Sequence, residues 1–318
     1  MNEVKTMDKY LLIDNGGTQI KYALAYEDGK IIENSYFDTP NSELANGLDL
    51  YFEQLDKIVE EYKKQDIKGI CISCPGRIDD DGKCLDAGAI KYFIGVNFIE
   101  ECKKRYNLDA SIENDAKCAA IGELSSGNLK GVKNGMVITI GTGLGGGVIV
   151  DGKVVRGSHF CAGEISLSPV NIHDFENHDE VACSIVCTKT FIQMVAKNLE
   201  INEEELTGKK AFEYINDGDQ RALEALDEFC QRLSRIIYSI QIILDCEKFA
   251  IGGGISVQPK LIECIKENVH KAFLVPWLYE DGGLPPIVEP EIVACKYHNE
   301  ANLIGALYDY KNKHNKNH

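Results

Sequence analysis

Two stretches of this chain follow one plan. IDNGGTQIKYAL (residues 13–24) and ITIGTGLGGGVIV (residues 138–150) each read as an apolar strand, a glycine–threonine turn and a second apolar strand. A hairpin that recurs at the start of two α/β stretches points to a duplicated domain with a cleft between the copies. The length agrees: 318 residues is too much for one ordinary core and suits two domains of roughly 150 residues. No Pro- or Ser-rich linker separates the halves, so close coupling is expected.

The rest of the chain supplies matching pieces. KYLLIDN (9–15), IKYALAYE (20–27) and IIENSYF (31–37) predict an antiparallel meander, with Asp28-Gly29-Lys30 as a turn. Residues 42–64 show helical spacing, with Leu44, Leu48, Phe52, Leu55 and Val59 near one face. KGICISCP (68–75) is a short apolar strand of the kind buried on both faces. A helix at about 98–106, a strand at 110–114 and a helix opening at Asp115 complete the first half. In the second half, strands are predicted at 135–141, 146–155, 248–254 and about 287–294. Helices are predicted at roughly 187–199, 219–245, 258–271 and 299–311. In the 219–245 helix, Leu223, Leu226, Leu233, Ile237, Ile240 and Leu244 would line a core face.

The two turns have a composition suited to phosphate. Phosphate needs several converging N–H donors, and glycine lets backbone approach closely where a side chain would obstruct. Asp14 ends the first strand, Gly16, Gly17 and Thr18 form the turn, and Lys21 follows. Gly141, Thr142 and Gly143 form the second turn. The first turn also reads as a plain hairpin, because Asn15-Gly16 favours a type I′ turn. The second fits G-x-G-x-x-G, but that fingerprint requires a helix directly afterwards. VIVDGKVV, a hairpin about Asp151-Gly152, comes next instead, which argues against a nicotinamide dehydrogenase. No Walker loop occurs. Gly252-Gly253-Gly254 ends a strand and precedes a helix, which suits an adenosine against bare backbone or simply a tight crossover.

Charge narrows the partners. A formal net charge of -16 disfavours nucleic acid and anionic membrane. No apolar run resembles a secretion signal or a membrane span, and the twelve cysteines are scattered, several of them in apolar patterns. Reduced, mostly buried thiols in a cytoplasmic protein are expected.

Taken in order, Asp14–Lys21, Pro75-Gly76-Arg77-Ile78-Asp79, Glu113-Asn114-Asp115-Ala116, Ile140–Gly147, Ala162-Gly163-Glu164-Ile165 and Ile251–Ser256 resemble the ROK family of sugar kinases and repressors, within the actin-like ATPase superfamily. The resemblance spans nearly the whole chain. It implies an α/β fold of two actin-like (ribonuclease H-like) domains with an interdomain ATP and sugar cleft. Residues 1–116 with about 297–318 would form an N-terminal domain closed by the C-terminal helix, and 117–296 the C-terminal domain. The implied activity is ATP-dependent transfer of the γ-phosphate to a hydroxyl of a hexose, N-acylhexosamine or glycoside.

The resemblance also implies roles. Asp115 would be the general base; by residue type alone, an Asp opening a helix serves equally as an N-cap. Asn114 and Glu164 would bind sugar hydroxyls, with Asn97 and Gly76 as further contacts, although Glu164 also reads as a surface acid. Asp14 would place Mg²⁺ through water. Gly16, Gly17, Thr18, Lys21, Gly141, Thr142 and Gly143 would hold phosphate, and Gly253 and Gly254 would border adenosine. Dimers are usual among members of the family, so the resemblance implies a homodimer. The repressors of the family carry an N-terminal helix-turn-helix, for which no room is seen before the strand at Lys9.

Departures fall on the sugar side. Relatives continue Gly-Glu-Ile with Gly-His and a zinc-binding cysteine motif; here Ser166 and Leu167 occupy those places. His173, His178, Cys183 and Cys187 do not have the spacing of a standard finger, so zinc is not expected. Lys189 stands where the family places a sugar-binding glutamate, and Asn15 where an aliphatic residue is usual. The alternative reading is a catalytically weak sugar-binding or regulatory member of the family.

Overall fold

Alternation decides the first sheet. Strand β1 (Lys9–Asn15) sends Leu11 and Ile13 to one face and Leu12 to the other, and all three are buried. A strand buried on both faces must be covered on both. The structure, a computed structural model, describes residues 7–171, 173–174, 177–274 and 287–314. By its contacts the chain divides into two units. One comprises Met1–Ser125, Arg156–Cys161 and Glu300–His318; the other comprises Ser126–Val155 and Ala162–Asn299.

In the first unit, β1, β2 (Gln19–Tyr26), β3 (Ile31–Asp38), β4 (Ile67–Cys74) and β5 (Ala110–Asn114) form one sheet in the order β3-β2-β1-β4-β5. The first three strands are antiparallel, and β1, β4 and β5 run parallel. Helices α1 (Gly47–Lys63) and α2 (Phe98–Tyr106) bury Tyr51, Phe52, Leu55 and Phe98 with Leu11 and Ile13 on one face. The helical pattern begins later than its spacing suggests: Leu44 precedes α1 and is exposed. Helix α9 (Ala301–His314) covers the other face with Leu303 and Leu307 against Leu12 and Cys71. It crosses α3 (Asp115–Ser126) closely, since a Cβ on Gly305 would lie 1.7 Å from Cys118 O.

The second unit repeats the scheme. Strands β6 (Gly135–Ile140), β7 (Leu144–Val150), β8 (Lys153–Val154), β9 (Lys248–Gly252) and β10 (Glu291–Ala294) are ordered β10-β9-β6-β7-β8. As in the first unit, a leading antiparallel hairpin is joined by parallel neighbours. Helices α4 (Ala182–Ile185), α5 (Thr188–Leu199), α6 (Gly208–Asp217), α7 (Gln220–Leu244) and α8 (Pro259–Phe273) enclose Phe191, Phe212 and Phe229. Leu226, Leu233 and Ile237 of α7 are buried, and Leu223, Ile240 and Leu244 are partly so. Helix α6 is not among the helices predicted from hydrophobic spacing. Its signals are local: Thr207 Oγ1 accepts from Lys210 N at 3.2 Å, and Gly218 closes the helix at φ +85. Most of the twelve cysteines are buried. Among the described residues, no helix is long and apolar enough to cross a membrane.

Candidate active site

In the first unit, the site begins where β1 meets β2. Asn15 still pairs with Ile20, and Gly16 N donates to Gln19 O at 3.1 Å. Neither Asn15 nor Gly16 has a positive φ, so the type I′ turn open to Asn15-Gly16 does not form. Instead, Gly17 and Thr18 stand exposed at the tip of a longer turn. A Cβ on Gly16 would come within 2.6 Å of Gln19 O. Thr39 secures the base: its Oγ1 donates to Gly16 O at 2.6 Å and its N donates to Thr18 O at 3.0 Å.

Asp14 lies beside this turn, paired across the strands with Lys21 and in parallel register with Ser73. It is buried. Ser73 Oγ donates to its Oδ1 at 2.8 Å, and Asn302 Nδ2, from the start of α9, donates at 3.2 Å. Burial raises its pKa above the usual carboxylate value, while Ser73, Lys21 and Asn302 oppose that rise. Ser73 and Asn302 were not found by sequence reasoning. Their partner lies 59 and 288 residues away, and only the strand register reveals it.

Asn114 ends β5, and Asp115 opens α3. Asn114 Oδ1 accepts from Lys117 N at 3.1 Å, the bond of an N-cap. Asn114 Nδ2 donates to Gly76 O at 2.9 Å. The cap of α3 is therefore Asn114, and Asp115 is the first residue within the helix, its Oδ1 accepting from Ala116 N at 2.7 Å. Gly76 sits at φ +85, where a Cβ would lie 2.1 Å from Asp86 O. Asn97 is spent partly on capping α2, its Oδ1 accepting from Glu100 N at 3.1 Å. Lys117 is buried and its Nζ donates to Phe160 O at 3.3 Å.

In the second unit, Ile140 pairs with Leu144, leaving Gly141, Thr142 and Gly143 as the turn. Gly141 N donates to Gly143 O at 2.9 Å, and Thr188 N at the start of α5 donates to Gly141 O at 2.9 Å. Thr142 and Gly143 are exposed, and a Cβ on Gly141 or Gly143 would meet nothing within 4 Å. Gly253 adopts φ +93 and packs so closely that a Cβ would lie 2.1 Å from Ile140 O. The second and third glycine clusters are thus neighbours. Ser256 Oγ holds Gly253 O at 2.8 Å, while Gly254 faces open space.

Glu164 is exposed and immediately precedes a 3₁₀ turn, Ile165–Leu167. Gly163, at φ +86, lets that turn lie against β7, since a Cβ there would be 2.1 Å from Gly146 O. Ser166 is half-buried, and Leu167 and Lys189 are exposed. Cys187 caps α5, accepting from Thr190 N at 3.5 Å. The side chain of His178 lies outside the described residues. Among the described residues, no group of three or more His, Cys, Asp or Glu side chains could hold a metal ion.

Two α/β units, each opening with a β-hairpin that carries a glycine–threonine turn, define the actin-like hexokinase fold. The ROK family profile matches residues 10–313, and the chain belongs to the ROK family. A β-glucoside kinase from Listeria monocytogenes is 27% identical, over 97% of this chain and 99% of its own. A ROK family protein from Streptococcus pneumoniae, solved in complex with sucrose, is 28% identical. It superposes with a TM-score of 0.79, over 97% of this chain and 99% of its own. A ROK family glucokinase from Streptomyces griseus, solved with glucose and AMPPNP, shares the fold at 21% identity. Its TM-score is 0.78, over 94% of this chain and 98% of its own.

Proposed function

We infer that the chain is an ATP-dependent sugar kinase in which Asp115 acts as the general base. The observation that carries this reading is the cap of α3. Asn114 makes the capping bond to Lys117 N, so helix termination does not account for an aspartate at position 115. The named relatives support the reaction class: one is a β-glucoside kinase, and a more distant one is a glucokinase with a bound ATP analogue.

In this reading, Asp115 takes the proton of the acceptor hydroxyl as its oxygen attacks the γ-phosphorus. The bond to the β-phosphate breaks and ADP leaves. Gly16, Gly17, Thr18 and Lys21 of the first unit, and Gly141, Thr142 and Gly143 of the second, present N–H, hydroxyl and ammonium donors to phosphate. Gly253 and Gly254 border adenosine. Asn114, Glu164, Gly76 and Asn97 serve the acceptor. Bound Mg²⁺ would neutralise phosphate charge. Asp14 fits a water-mediated contact to it, being an oxygen donor held in place by Ser73 and Asn302.

The acceptor is a hexose, an N-acylhexosamine or a glycoside. The β-glucoside kinase relative and the sucrose bound to the Streptococcus protein favour testing glycosides alongside monosaccharides. The protein works in the cytoplasm, where ATP is supplied, as a homodimer. Light scattering tests the dimer; a monomer at assay concentration contradicts it. The function is tested by a transfer screen with glucose, mannose, allose, N-acetylmannosamine, N-acetylglucosamine and β-glucosides. ATP- and Mg²⁺-dependent phosphorylation of at least one is expected. Sugar binding without phosphorylation of any would favour the regulatory alternative.

A further inference from the structure

Six residues, Arg156–Cys161, group with the first unit although the chain on either side belongs to the second. Arg156 is what fastens this segment. Its Nε lies 2.8 Å from Glu113 Oε2, and its Nη2 donates to Ile78 O at 2.8 Å and Asp79 O at 3.1 Å. Its Nη1 pairs with Asp80. The Glu113 contact is an ion pair without hydrogen-bond alignment at Nε. Glu113 is only 2% exposed, and a carboxylate so placed must be paired or hydrogen-bonded. Its other oxygen, Oε1, accepts from Asn114 N at 2.8 Å. Lys313 Nζ is a weaker second cation, 3.8 Å from Glu113 Oε2 and 2.8 Å from Asp309.

These contacts converge on two segments. Ile78, Asp79 and Asp80 come just after Gly76, and Glu113 precedes Asn114 and Asp115. Asn114 Nδ2 already joins the two through Gly76 O. A guanidinium is planar and offers five donors in a fixed fork, so one side chain can hold several carbonyl and carboxylate groups, here four, at set spacing, which an ammonium does not.

We propose that Arg156 is a positioning residue for the acceptor side of the reaction, holding the 76–80 loop and the Glu113–Asp115 segment in register through Glu113. It touches neither reacting atom; it fixes the spacing between Asp115 and the Gly76 loop. The catalytic consequence rests on the kinase reading above, while the coupling of the two segments does not.

The test separates positioning from charge neutralisation. Arg156→Met leaves Glu113 buried without its closest cation, and a loss of Tm is expected. In the double variant Glu113→Gln, Arg156→Met that charge is removed, and Tm is expected to recover. Positioning is not restored. Acceptor KM is expected to rise and kcat to fall by about 10- to 100-fold, with ATP KM within about twofold of wild type. Arg156→Lys, which keeps the charge and loses the fork, is expected to show the same split at nearly wild-type Tm. Amide exchange in residues 76–80 and 114–118 is expected to quicken in both variants. Wild-type kcat and acceptor KM in the double variant or in Arg156→Lys would overturn the proposal, as would a loss spread equally over both substrates. If the wild-type protein phosphorylates no sugar, the kinase reading fails. Exchange then decides: faster exchange in both segments supports the coupling, and unchanged exchange overturns it.

Discussion

Ser73 Oγ donates to Asp14 Oδ1 at 2.8 Å, joining the ends of two parallel strands at a buried carboxylate beside the first turn. Removing a hydrogen bond from a buried, charged group costs about 1–3 kcal/mol. Ser73→Ala is expected to lose stability on that scale in urea unfolding. Burial already raises Asp14 above the ordinary carboxylate value and Ser73 opposes that rise, so the variant's acid limb of activity should move to higher pH. It should also need more Mg²⁺ for half-maximal rate. An unchanged acid limb and Mg²⁺ requirement would detach Asp14 from the nucleotide site.

The glycines divide into two kinds, and substitution should tell them apart. Gly253 has φ +93 and no room for a Cβ beside Ile140 O. Gly253→Ala is expected to destabilise the fold by about 1–3 kcal/mol or more. Gly141 and Gly143 have open space and ordinary φ. Alanine there should leave Tm unchanged while weakening ATP binding by about tenfold, or roughly 1.4 kcal/mol. Calorimetric titration with an ATP analogue checks this. Wild-type affinity in both variants would mean that the second turn does not approach phosphate.

Asp309 gives a pH signature. Burial is the largest cause pushing its carboxyl up to about 6; Lys313 opposes the rise, Glu113 adds to it, and Arg156 opposes it. The unfolded chain releases this proton near 3.8, so the folded state binds more protons between 3.8 and about 6. Stability therefore falls as pH rises through that window, by at most about 3 kcal/mol at ~1.4 kcal/mol per pH unit. Asp309→Asn removes the penalty. The variant's Tm relative to wild type should climb between pH 4 and 6.5. A difference independent of pH would show that Asp309 ionises normally.

The duplicated hairpins were legible because strand period and turn composition are local. Leu11 and Ile13 against Leu12, and the Gly-Thr tips, needed no tertiary information. The dinucleotide alternative is resolved by the hairpin that continues past Gly147, which the structure shows as β7 and β8. Other features depend on contacts distant in sequence. Asn302 reaches Asp14 across 288 residues, and the Arg156–Glu113 pair joins positions no local pattern relates. That Asn114 rather than Asp115 makes the capping bond of α3 depends on which neighbouring side chain reaches Lys117 N, and spacing does not encode that. Helix α6 carried readable cap signals at Thr207 and Gly218, and Leu44 continued a helical spacing that the backbone does not adopt.

The most direct test is the kcat of Asp115→Asn for transfer from ATP to the best acceptor of the wild-type screen, with circular dichroism and Tm as controls. Loss of a positioned base typically costs about 10²- to 10⁴-fold. The expected result is a kcat reduced on that scale, with native spectra and ATP affinity near wild type. Normal turnover in a correctly folded Asp115→Asn protein would contradict the assignment of Asp115 as the base.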